Sequence, residues 1–374
     1  MDSLSQNSEK TKTDEQNEPQ ACDRPEDKPM ARPDVKSMTL AELTAFLTGM
    51  GEKAFRAGQL YEWMHKHLAR SYEEMHNLGK TLIGKLEENT DYVALHPVEV
   101  LTSAEDGTKK FLFELEDGNI IESVWMQYKH GNSVCISSQV GCRMGCRFCA
   151  STLDGLVRNL RPSEMLDQIY AITKLTGERV SNVVVMGSGE PLDNTDNILR
   201  FTELLTCENG LNISERNLTI STCGLVDQIR RLADLRPQFT LALSLHAPNQ
   251  EKRKALMPIA NRYEIHETVE AMKYFFDKTG RRITFEYSLV AGQNDSPEDA
   301  KELAALIEGL NCHVNLIPVN PIKERDYRES TRERVLAFKN KLEKYGVNVT
   351  IRREMGRDIN GACGQLRRSF IENR

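Results

Sequence analysis

A repeated alternation of short β-rich segments with amphipathic helical segments, from about residue 133 onward, constrains the fold of this chain more than any other feature. The pattern is typical of a parallel sheet, because parallel neighbours need a long crossover connection that a helix provides. Strands are predicted near residues 133–138, 182–186, 218–221, 240–245, 283–290, 313–319 and 347–351. Helices are predicted near residues 163–176, 194–206, 225–235, 264–278, 297–308 and 330–344. These units predict an α/β fold, a partial (βα)6 TIM-type barrel whose lateral opening could admit a large substrate.

Two segments with different patterns open the chain. Residues 1–37 carry nine acidic and six basic residues and almost no large apolar side chains, so they predict a disordered acidic tail. Residues 38–91 predict a small helical domain, which we interpret as an RNA-binding type. Its first helix begins with a capping box formed by Thr39 and Glu42, and leucines then recur at helical spacing.

A β-rich segment separates this helical domain from the barrel. Residues 92–130 alternate apolar and polar side chains on either side of Asp117 and Gly118, a pair that favours a hairpin turn. We interpret the segment as a β extension that links the helical domain to the barrel, which occupies residues 131–374.

Composition excludes several classes of protein. No apolar run approaches the roughly 18 residues that span a membrane, and the polar, acidic N-terminus does not resemble a secretory signal. We therefore expect a cytoplasmic protein with no membrane partner, whose nine cysteines serve metal binding or catalysis rather than a disulfide framework. The formal net charge of -6 argues against a generally basic RNA-coating protein. Arginines gathered in residues 143–161 and 352–374 either hold phosphates or form a solvated charged face.

Three closely spaced cysteines give the strongest chemical signal. Cys142, Cys146 and Cys149 follow the first predicted barrel strand at CxxxCxxC spacing. Three thiolates can hold three irons of a [4Fe-4S] cluster and leave the fourth iron open for an external ligand. A zinc site is the alternative, but it usually takes four protein ligands and commonly uses CxxC pairs. Cys135 could in principle supply a fourth thiolate, although it lies some distance away along the preceding strand.

Several short motifs follow the ends of other predicted strands. A glycine-rich turn at residues 187–191 follows the second strand, and residues 221–224, 244–246 and 318–321 follow the third, fourth and sixth. The carboxyl ends of barrel strands lie on one face, so these motifs are expected to converge on an active site. Each motif by itself is also compatible with an ordinary turn, and a buried histidine such as His246 is more often structural than functional.

These motifs together resemble a known family. CxxxCxxC with an aromatic residue before the last cysteine is the radical S-adenosylmethionine (SAM) signature. Residues 139–142, 189–192, 244–249 and 362–366 resemble the radical-SAM adenine C-2 methyltransferases that act on 23S rRNA and tRNA. The resemblance runs from about residue 38 to the end of the chain. It implies a [4Fe-4S] cluster held by Cys142, Cys146 and Cys149, and SAM contacts at Gly189, Glu190, Ser221, Ser244, Leu245, His246 and Asn320.

The resemblance also implies a reaction route that uses two cysteines and a carboxylate. Cys363 matches the cysteine that takes a methyl group from one SAM, and a radical derived from a second SAM removes hydrogen from that methyl group. The resulting carbon radical adds to C-2 of adenine. Cys135 matches the cysteine that resolves the adduct by forming a disulfide with Cys363, and Glu122 matches the base that takes the C-2 proton. Without the resemblance, Cys135 would be interpreted as a small core residue of a strand.

The same resemblance implies partners and leaves rival functions open. The expected substrates are 23S rRNA and tRNA, the expected electron donor is a protein such as flavodoxin or ferredoxin, and we expect a monomer. A sister activity that methylates adenine C-8 shares the motifs. A cluster protein that carries electrons or binds RNA without catalysis, and a radical enzyme with another substrate, are further alternatives. The sequence departs from the family pattern at Ser188 and Cys223, which unsettles only details of the SAM pocket.

Overall fold

The computed structural model describes residues 32–129, 131–320, 325–359 and 370. The strands in these residues are β1 (His96–Thr102), β2 (Lys109–Glu114), β3 (Ile120–Tyr128), β4 (Gly131–Ile136), β5 (Gln139–Gly141), β6 (Leu156–Asn159), β7 (Val180–Val185), β8 (Leu218–Thr222), β9 (Thr240–Ser244), β10 (Ile283–Leu289), β11 (Cys312–Pro318) and β12 (Val349–Ile351). The α-helices are α1 (Leu40–Gly49), α2 (Phe55–His65), α3 (Lys80–Asn89), α4 (Pro162–Thr176), α5 (Thr195–Thr206), α6 (Val226–Leu235), α7 (Gln250–Leu256), α8 (Ile265–Thr279), α9 (Pro297–Leu306) and α10 (Arg332–Lys344).

Ten strands join in one sheet in the order β1-β2-β3-β4-β7-β8-β9-β10-β11-β12. The pairs from β4 to β12 are parallel, and helices connect them, so the predicted α/β barrel architecture is confirmed. The sheet is open, because β1 and β12 form its two edges. The short helix α7 and the small antiparallel pair of β5 with β6 were not predicted from the sequence.

The two faces of the parallel sheet differ in polarity. On β10, Phe285 and Tyr287 are fully buried in the main hydrophobic core, whereas Glu286 and Ser288 alternate with them and lie on the other face. Successive side chains of a strand point to opposite faces, so one face packs against the helices and the other is lined by polar groups. We call the second face the inner face, and it carries most of the candidate site.

The segment predicted as a linking β extension is part of the barrel sheet itself. Strand β3 pairs antiparallel with β4, with Val124 opposite Cys135, and β1 and β2 continue the sheet beyond β3. The predicted turn is present, with Gly118 at a φ of +77° and its N–H donating to the carbonyl oxygen of Leu115. The predicted β extension is therefore present, and backbone pairing joins it to the parallel strands in one sheet.

The predicted boundary of the acidic tail was placed too late. Residues 34–37 are folded, and Val35–Ser37 forms a 3-10 helix in which Val35 and Lys36 are fully buried. Lys36 Nζ lies 2.8 Å from Asp167 Oδ1 on α4. This ion pair with a distant helix holds the segment in the fold, although its composition is typical of a disordered tail. Residues 1–31 of the predicted tail lie outside the described residues.

The helical domain has the elements expected from its sequence. The Thr39 side chain accepts from the Glu42 backbone N–H, and the Glu42 carboxylate accepts from the Thr39 backbone N–H, which confirms the capping box. Among the helices of the described ranges, none is long and apolar enough to cross a membrane.

Candidate active site

The cysteine loop follows β5 and depends on a glycine conformation. Gly141 has a φ of +76°, and a Cβ at this position would collide with the carbonyl oxygen of Gly155. The same carbonyl accepts from the Cys142 backbone N–H at 2.8 Å. Only glycine avoids both the collision and the strain of a positive φ. Gly141 therefore allows the backbone to turn sharply at the start of the loop.

The three thiols of the loop are close enough to influence one another. Burial raises the pKa of Cys142 to about 12, and it raises the pKa of Cys146 and Cys149 as well. The charges of Cys142 and Cys149 each raise the pKa of Cys146 further. Buried thiols of this kind are deprotonated only when a cation binds them, which fits a metal group.

The number of thiols in the loop fits a cluster with one open iron. Cys142 and Cys146 are buried, and Cys149 is half-buried. A zinc site usually takes four protein ligands, whereas each cysteine of an iron–sulfur cluster binds a different iron. The three thiolates therefore fit a [4Fe-4S] cluster.

Contacts with two other parts of the barrel hold the cysteine loop in place. The Arg147 backbone N–H donates to the carbonyl oxygen of Leu256 at the end of α7, at 2.9 Å. The ring of Phe148 meets the ring of His246 edge-on, with centroids 4.8 Å apart. The motif after β9 and the cysteine loop therefore meet in space, as the shared strand-end location predicts.

Glu190 in the glycine-rich turn is buried and already accepts two backbone hydrogen bonds. Its Oε1 accepts from the Leu192 N–H at 3.0 Å, and its Oε2 accepts from the Cys223 N–H at 2.7 Å. Burial raises its pKa, and these hydrogen bonds oppose the rise. A carboxylate has further lone pairs, so the contact predicted between Glu190 and the SAM ammonium stays compatible with this geometry. Gly189, at a φ of +110°, allows the turn to pack against Gln139.

The predicted SAM contacts after β8 and β9 are neighbours. Ser221 Oγ and Ser244 Oγ are 3.2 Å apart. The Leu245 side chain is fully buried in the hydrophobic core, so only its backbone could reach a ligand. Asn320 is exposed and follows the end of β11.

His246 is held in an unusual conformation as a neutral ring. Its φ is +54°, and its Nδ1 accepts from the Ser288 backbone N–H at 2.9 Å. Burial, and then the charge of Arg253, lowers its pKa to about 3. A non-glycine residue with a positive φ is rare, and such strain is often found at functional sites.

Glu122 and Cys135 lie close together on the inner face. Strand register places Cys135 opposite Val124, and Glu122 is two residues before Val124 on the same face of β3. Burial raises the pKa of Cys135, and the charge of Glu122 raises it further. Glu122 also raises the pKa of Cys149. The structure therefore brings the expected base near both the expected resolving cysteine and the cysteine loop, while Cys363 lies outside the described residues.

Sequence reasoning missed four charged or polar residues of this region, namely Lys110, Glu286, Asn315 and Arg253. Lys110 forms a buried ion pair with the predicted Glu122 at 3.1 Å, and Asn315 Nδ2 donates to Glu286 Oε2 at 3.0 Å. Arg253 is fully buried on α7. Glu286 and Asn315 could have been found, because they interrupt parallel strands, and a parallel strand covered on both faces normally reads as a continuous apolar run.

Three arginines in and after the cysteine loop are paired with carboxylates rather than free to hold phosphates. Arg158 donates to both oxygens of Glu164, each at 2.9 Å, and Arg143 is paired with Asp193. Arg161 lies within 3.8 Å of carboxylates that include Asp34. Of the two interpretations, the charged and ion-paired face is the one that the structure supports for these three residues.

Comparison with known proteins shows the family of the chain. Residues 136–307 match the family model described as "Radical SAM superfamily", and residues 34–91 match "Ribosomal RNA large subunit methyltransferase N-terminal domain". The chain is thus a radical-SAM enzyme. A protein of Lachnospira eligens named "Probable dual-specificity RNA methyltransferase RlmN" is 65% identical, covering 91% of this chain and 97% of that protein. One of the same name from Lachnoclostridium phytofermentans is 58% identical, covering 91% and 95%.

A solved structure is similar along nearly the whole chain. The crystal structure of a radical SAM methyltransferase from Sphaerobacter thermophilus matches with a TM-score of 0.86 and 42% identity, and the match covers 89% of this chain and 98% of that one. The chain belongs to the family of dual-specificity RNA methyltransferases RlmN.

Proposed function

We propose that this enzyme methylates C-2 of adenine in 23S rRNA and in tRNA, and that each product consumes two SAM molecules. The observation that supports the proposal is the position of Glu122 and Cys135 on neighbouring strands of the inner face, where Cys135 lies opposite Val124 and Ser137 Oγ donates to the Glu122 carbonyl oxygen at 2.7 Å. A carboxylate and a thiol on one face of the sheet supply the proton acceptor and the second sulfur that the proposed route requires. The name "dual-specificity RNA methyltransferase" of the relatives supports two kinds of RNA substrate.

The cofactor residues are those that the family resemblance implies. Cys142, Cys146 and Cys149 would hold the [4Fe-4S] cluster. When reduced by one electron, a cluster with an open iron can cleave bound SAM to a carbon-centred radical. We assign SAM binding to the residues that end the neighbouring strands, namely Gly189, Glu190, Ser221, Ser244, Leu245, His246 and Asn320.

The two further cysteines would carry and release the methyl group. C-2 of adenine is electron-poor and does not attack the electrophilic methyl of SAM directly, so the methyl group is first taken by the thiolate of Cys363. After hydrogen is removed from this S-methyl group, its carbon can bond to C-2 and join protein and RNA. Glu122 would take the C-2 proton of the adduct, and the adduct's unpaired electron would return to the oxidised cluster. The Cys135 thiolate would then attack the Cys363 sulfur to form a disulfide, and the carbon released with the electron pair of the broken carbon–sulfur bond would take a proton from water to complete the methyl group.

Glu122 would accept the proton that leaves C-2, a role that requires a carboxylate held at the reacting base. Its position is fixed by strand pairing and by the Lys110 ammonium at 3.1 Å. The ion pair provides a counter-charge for a carboxylate that is only 3% exposed. Lys110 therefore acts as a positioning residue for the proposed base.

Three further properties belong to the proposal. The electron that reduces the cluster would come from a separate donor protein such as flavodoxin or ferredoxin. The chain would act as a monomer in the cytoplasm, where its RNA substrates are found.

Nucleoside mass spectrometry of a deletion strain tests the product. We expect 2-methyladenosine to disappear from 23S rRNA and from tRNA and to return on complementation. Loss of 8-methyladenosine instead would assign the sister activity, and unchanged 2-methyladenosine would reject the proposal.

Cysteine variants test the route in anaerobically reconstituted protein. Cys363→Ala should abolish methylation while SAM cleavage to 5′-deoxyadenosine remains measurable. Cys135→Ala should accumulate a covalent protein–RNA adduct, because the resolving thiol is missing. Cys312→Ala is the matched control, since Cys312 begins β11 and is buried in the main core. Full methylation by Cys363→Ala would eliminate the S-methylcysteine route.

A further inference from the structure

Arg253 is a buried cation with donors that lack partners. Its side chain is fully buried on α7, and its Nη2 donates to the carbonyl oxygen of Cys223 at 2.6 Å. Its Nε and Nη1 have no hydrogen-bond partner among the described residues. A guanidinium has five N–H donors and cannot discard its proton, so burying it in this way is strongly unfavourable without an anion or another acceptor.

The carboxylate of Glu190, which also bonds to Cys223, is not an ion-pair partner of Arg253. Both oxygens of Glu190 accept backbone N–H groups, one of them from Cys223 itself. Within the parts of the chain that the structure describes, no ion pair joins Arg253 to an acidic side chain. The missing partner is therefore a group that the described polypeptide does not supply.

Arg253 lies beside the cysteine loop. Leu256 and Met257, at the end of the same helix, pack with Cys146 and Cys223 in one small apolar cluster. Burial lowers the pKa of Arg253, and the charges of Cys223 and Cys146 oppose this, which places the guanidinium within electrostatic range of a proposed cluster ligand. Gly224 provides the room, because a Cβ there would lie 3.2 Å from Arg253 Nη2.

We propose that Arg253 is the buried counter-ion of the iron–sulfur cluster, with Nε and Nη1 as hydrogen-bond donors to its sulfur atoms, and that it raises the reduction potential of the cluster. This inference rests on the cluster assigned under the proposed function. A [4Fe-4S] core with three thiolates is net negative and gains one more negative charge on reduction. A fixed cation and N–H donors stabilise the reduced form more than the oxidised form, so they make reduction easier.

The test compares two variants that remove one positive charge from the same helix. Arg253→Met removes the buried guanidinium and keeps an unbranched side chain of similar length. Lys254→Met removes the neighbouring charge, which is exposed. Redox titration of the reconstituted protein without SAM, followed by electron paramagnetic resonance, gives the midpoint potential of each. We expect Arg253→Met to lower the equilibrium constant for reduction at least tenfold, about 59 mV for a one-electron couple, and Lys254→Met to match the wild type.

Equal potentials in Arg253→Met and Lys254→Met, at equal iron and sulfide content, would overturn the inference. So would an Arg253→Met variant that keeps the wild-type potential but binds SAM more weakly, because the partner would then be the SAM carboxylate. Arg253→Lys, which keeps the charge, should give an intermediate potential.

A measurement on the wild-type protein covers the case in which Arg253→Met does not fold. With guanidinium nitrogens labelled with nitrogen-15, pulsed electron paramagnetic resonance of the reduced cluster should show a weakly coupled labelled nitrogen. Its absence would also overturn the inference. If the wild-type protein assembles no cluster at all, the proposed function fails, and that result is distinguishable because no variant is involved.

Discussion

Replacing Lys36 by methionine tests whether the segment before the helical domain is part of the folded protein. Lys36 and Asp167 have side chains that are 0% and 3% exposed, and Nζ lies 2.8 Å from Oδ1. Nζ also donates to the carbonyl oxygen of Val93, while Asp167 Oδ2 accepts from the Leu95 N–H at 2.6 Å. The pair therefore joins the N-terminal segment, the chain before β1 and helix α4.

The expected cost follows from the charge that remains. Methionine fills most of the volume of lysine, so the main effect is a buried Asp167 carboxylate without its counter-ion, which costs roughly 3–5 kcal/mol. Arg70 Nη1 lies 4.0 Å from Asp167 Oδ2 and compensates in part, so we expect about 3 kcal/mol. Adding Asp167→Asn removes the unpaired charge and keeps an oxygen for Leu95. The double variant should therefore regain about 2 kcal/mol.

Urea unfolding of the cluster-free protein measures these differences, with fluorescence from the two tryptophans, Trp63 in the helical domain and Trp125 on β3. Lys53→Met is the control, because Lys53 is exposed. If Lys36→Met and Lys53→Met unfold at the same urea concentration, the pair does not stabilise the fold. If the double variant is less stable than Lys36→Met, the argument from an unpaired charge is refuted.

Three other variants test further parts of the structure. Burial lowers the pKa of His65 from 6.5 to about 3, so between these pH values the unfolded chain binds a proton that the folded chain does not, and stability falls by about 1.4 kcal/mol per pH unit as the pH drops from 6.5 towards 3. His65→Phe should flatten the acid limb of a plot of urea midpoint against pH. Gly141→Ala should lose most bound iron, because its Cβ would collide with the Gly155 carbonyl oxygen, whereas Gly155→Ala shares the strain of a positive φ but meets open space and should lose less. Asn294→Ala removes three side-chain hydrogen bonds, one to the His246 carbonyl, and should weaken SAM binding at least tenfold in equilibrium dialysis at unchanged iron content. An unchanged pH profile, equal iron in the two glycine variants, or wild-type SAM binding would contradict the respective argument.

The parallel part of the fold could be predicted because its signals are local. The strand predicted at 218–221 is observed as Leu218–Thr222, and the helix predicted at 163–176 as Pro162–Thr176. Helix α7 was missed because it has only seven residues, five of them polar or charged, and thus shows no apolar stripe. Its N-cap, Asn249, which accepts from the Lys252 N–H, was the available signal.

The cysteine loop could be predicted because its signal is the spacing of residues along the chain. The buried cations of the site could not, because their signal is burial. Spacing alone indicates the cysteine loop, because three thiols in eight residues have few other uses. Lys110 and Arg253 are two of 49 lysines and arginines, and nothing local distinguishes them from the exposed ones. Their roles depend on partners distant in sequence, such as Glu122 for Lys110 and Cys223 for Arg253.

The position of the proposed base depends on contacts at the back of the sheet. A shift of one residue in the pairing of β3 would move Glu122 from the inner face to the helix face. Ser123 opposes such a shift, because its Oγ donates to the buried Gln168 Oε1 on α4 at 2.8 Å, an oxygen that also accepts from the Ser137 N–H. Ser137 Oγ in turn donates to the carbonyl oxygen of Glu122 at 2.7 Å. Since Ser123 must face the helix to keep this bond, Glu122 must face inward, so a polar network outside the site determines which face of the sheet carries the acid.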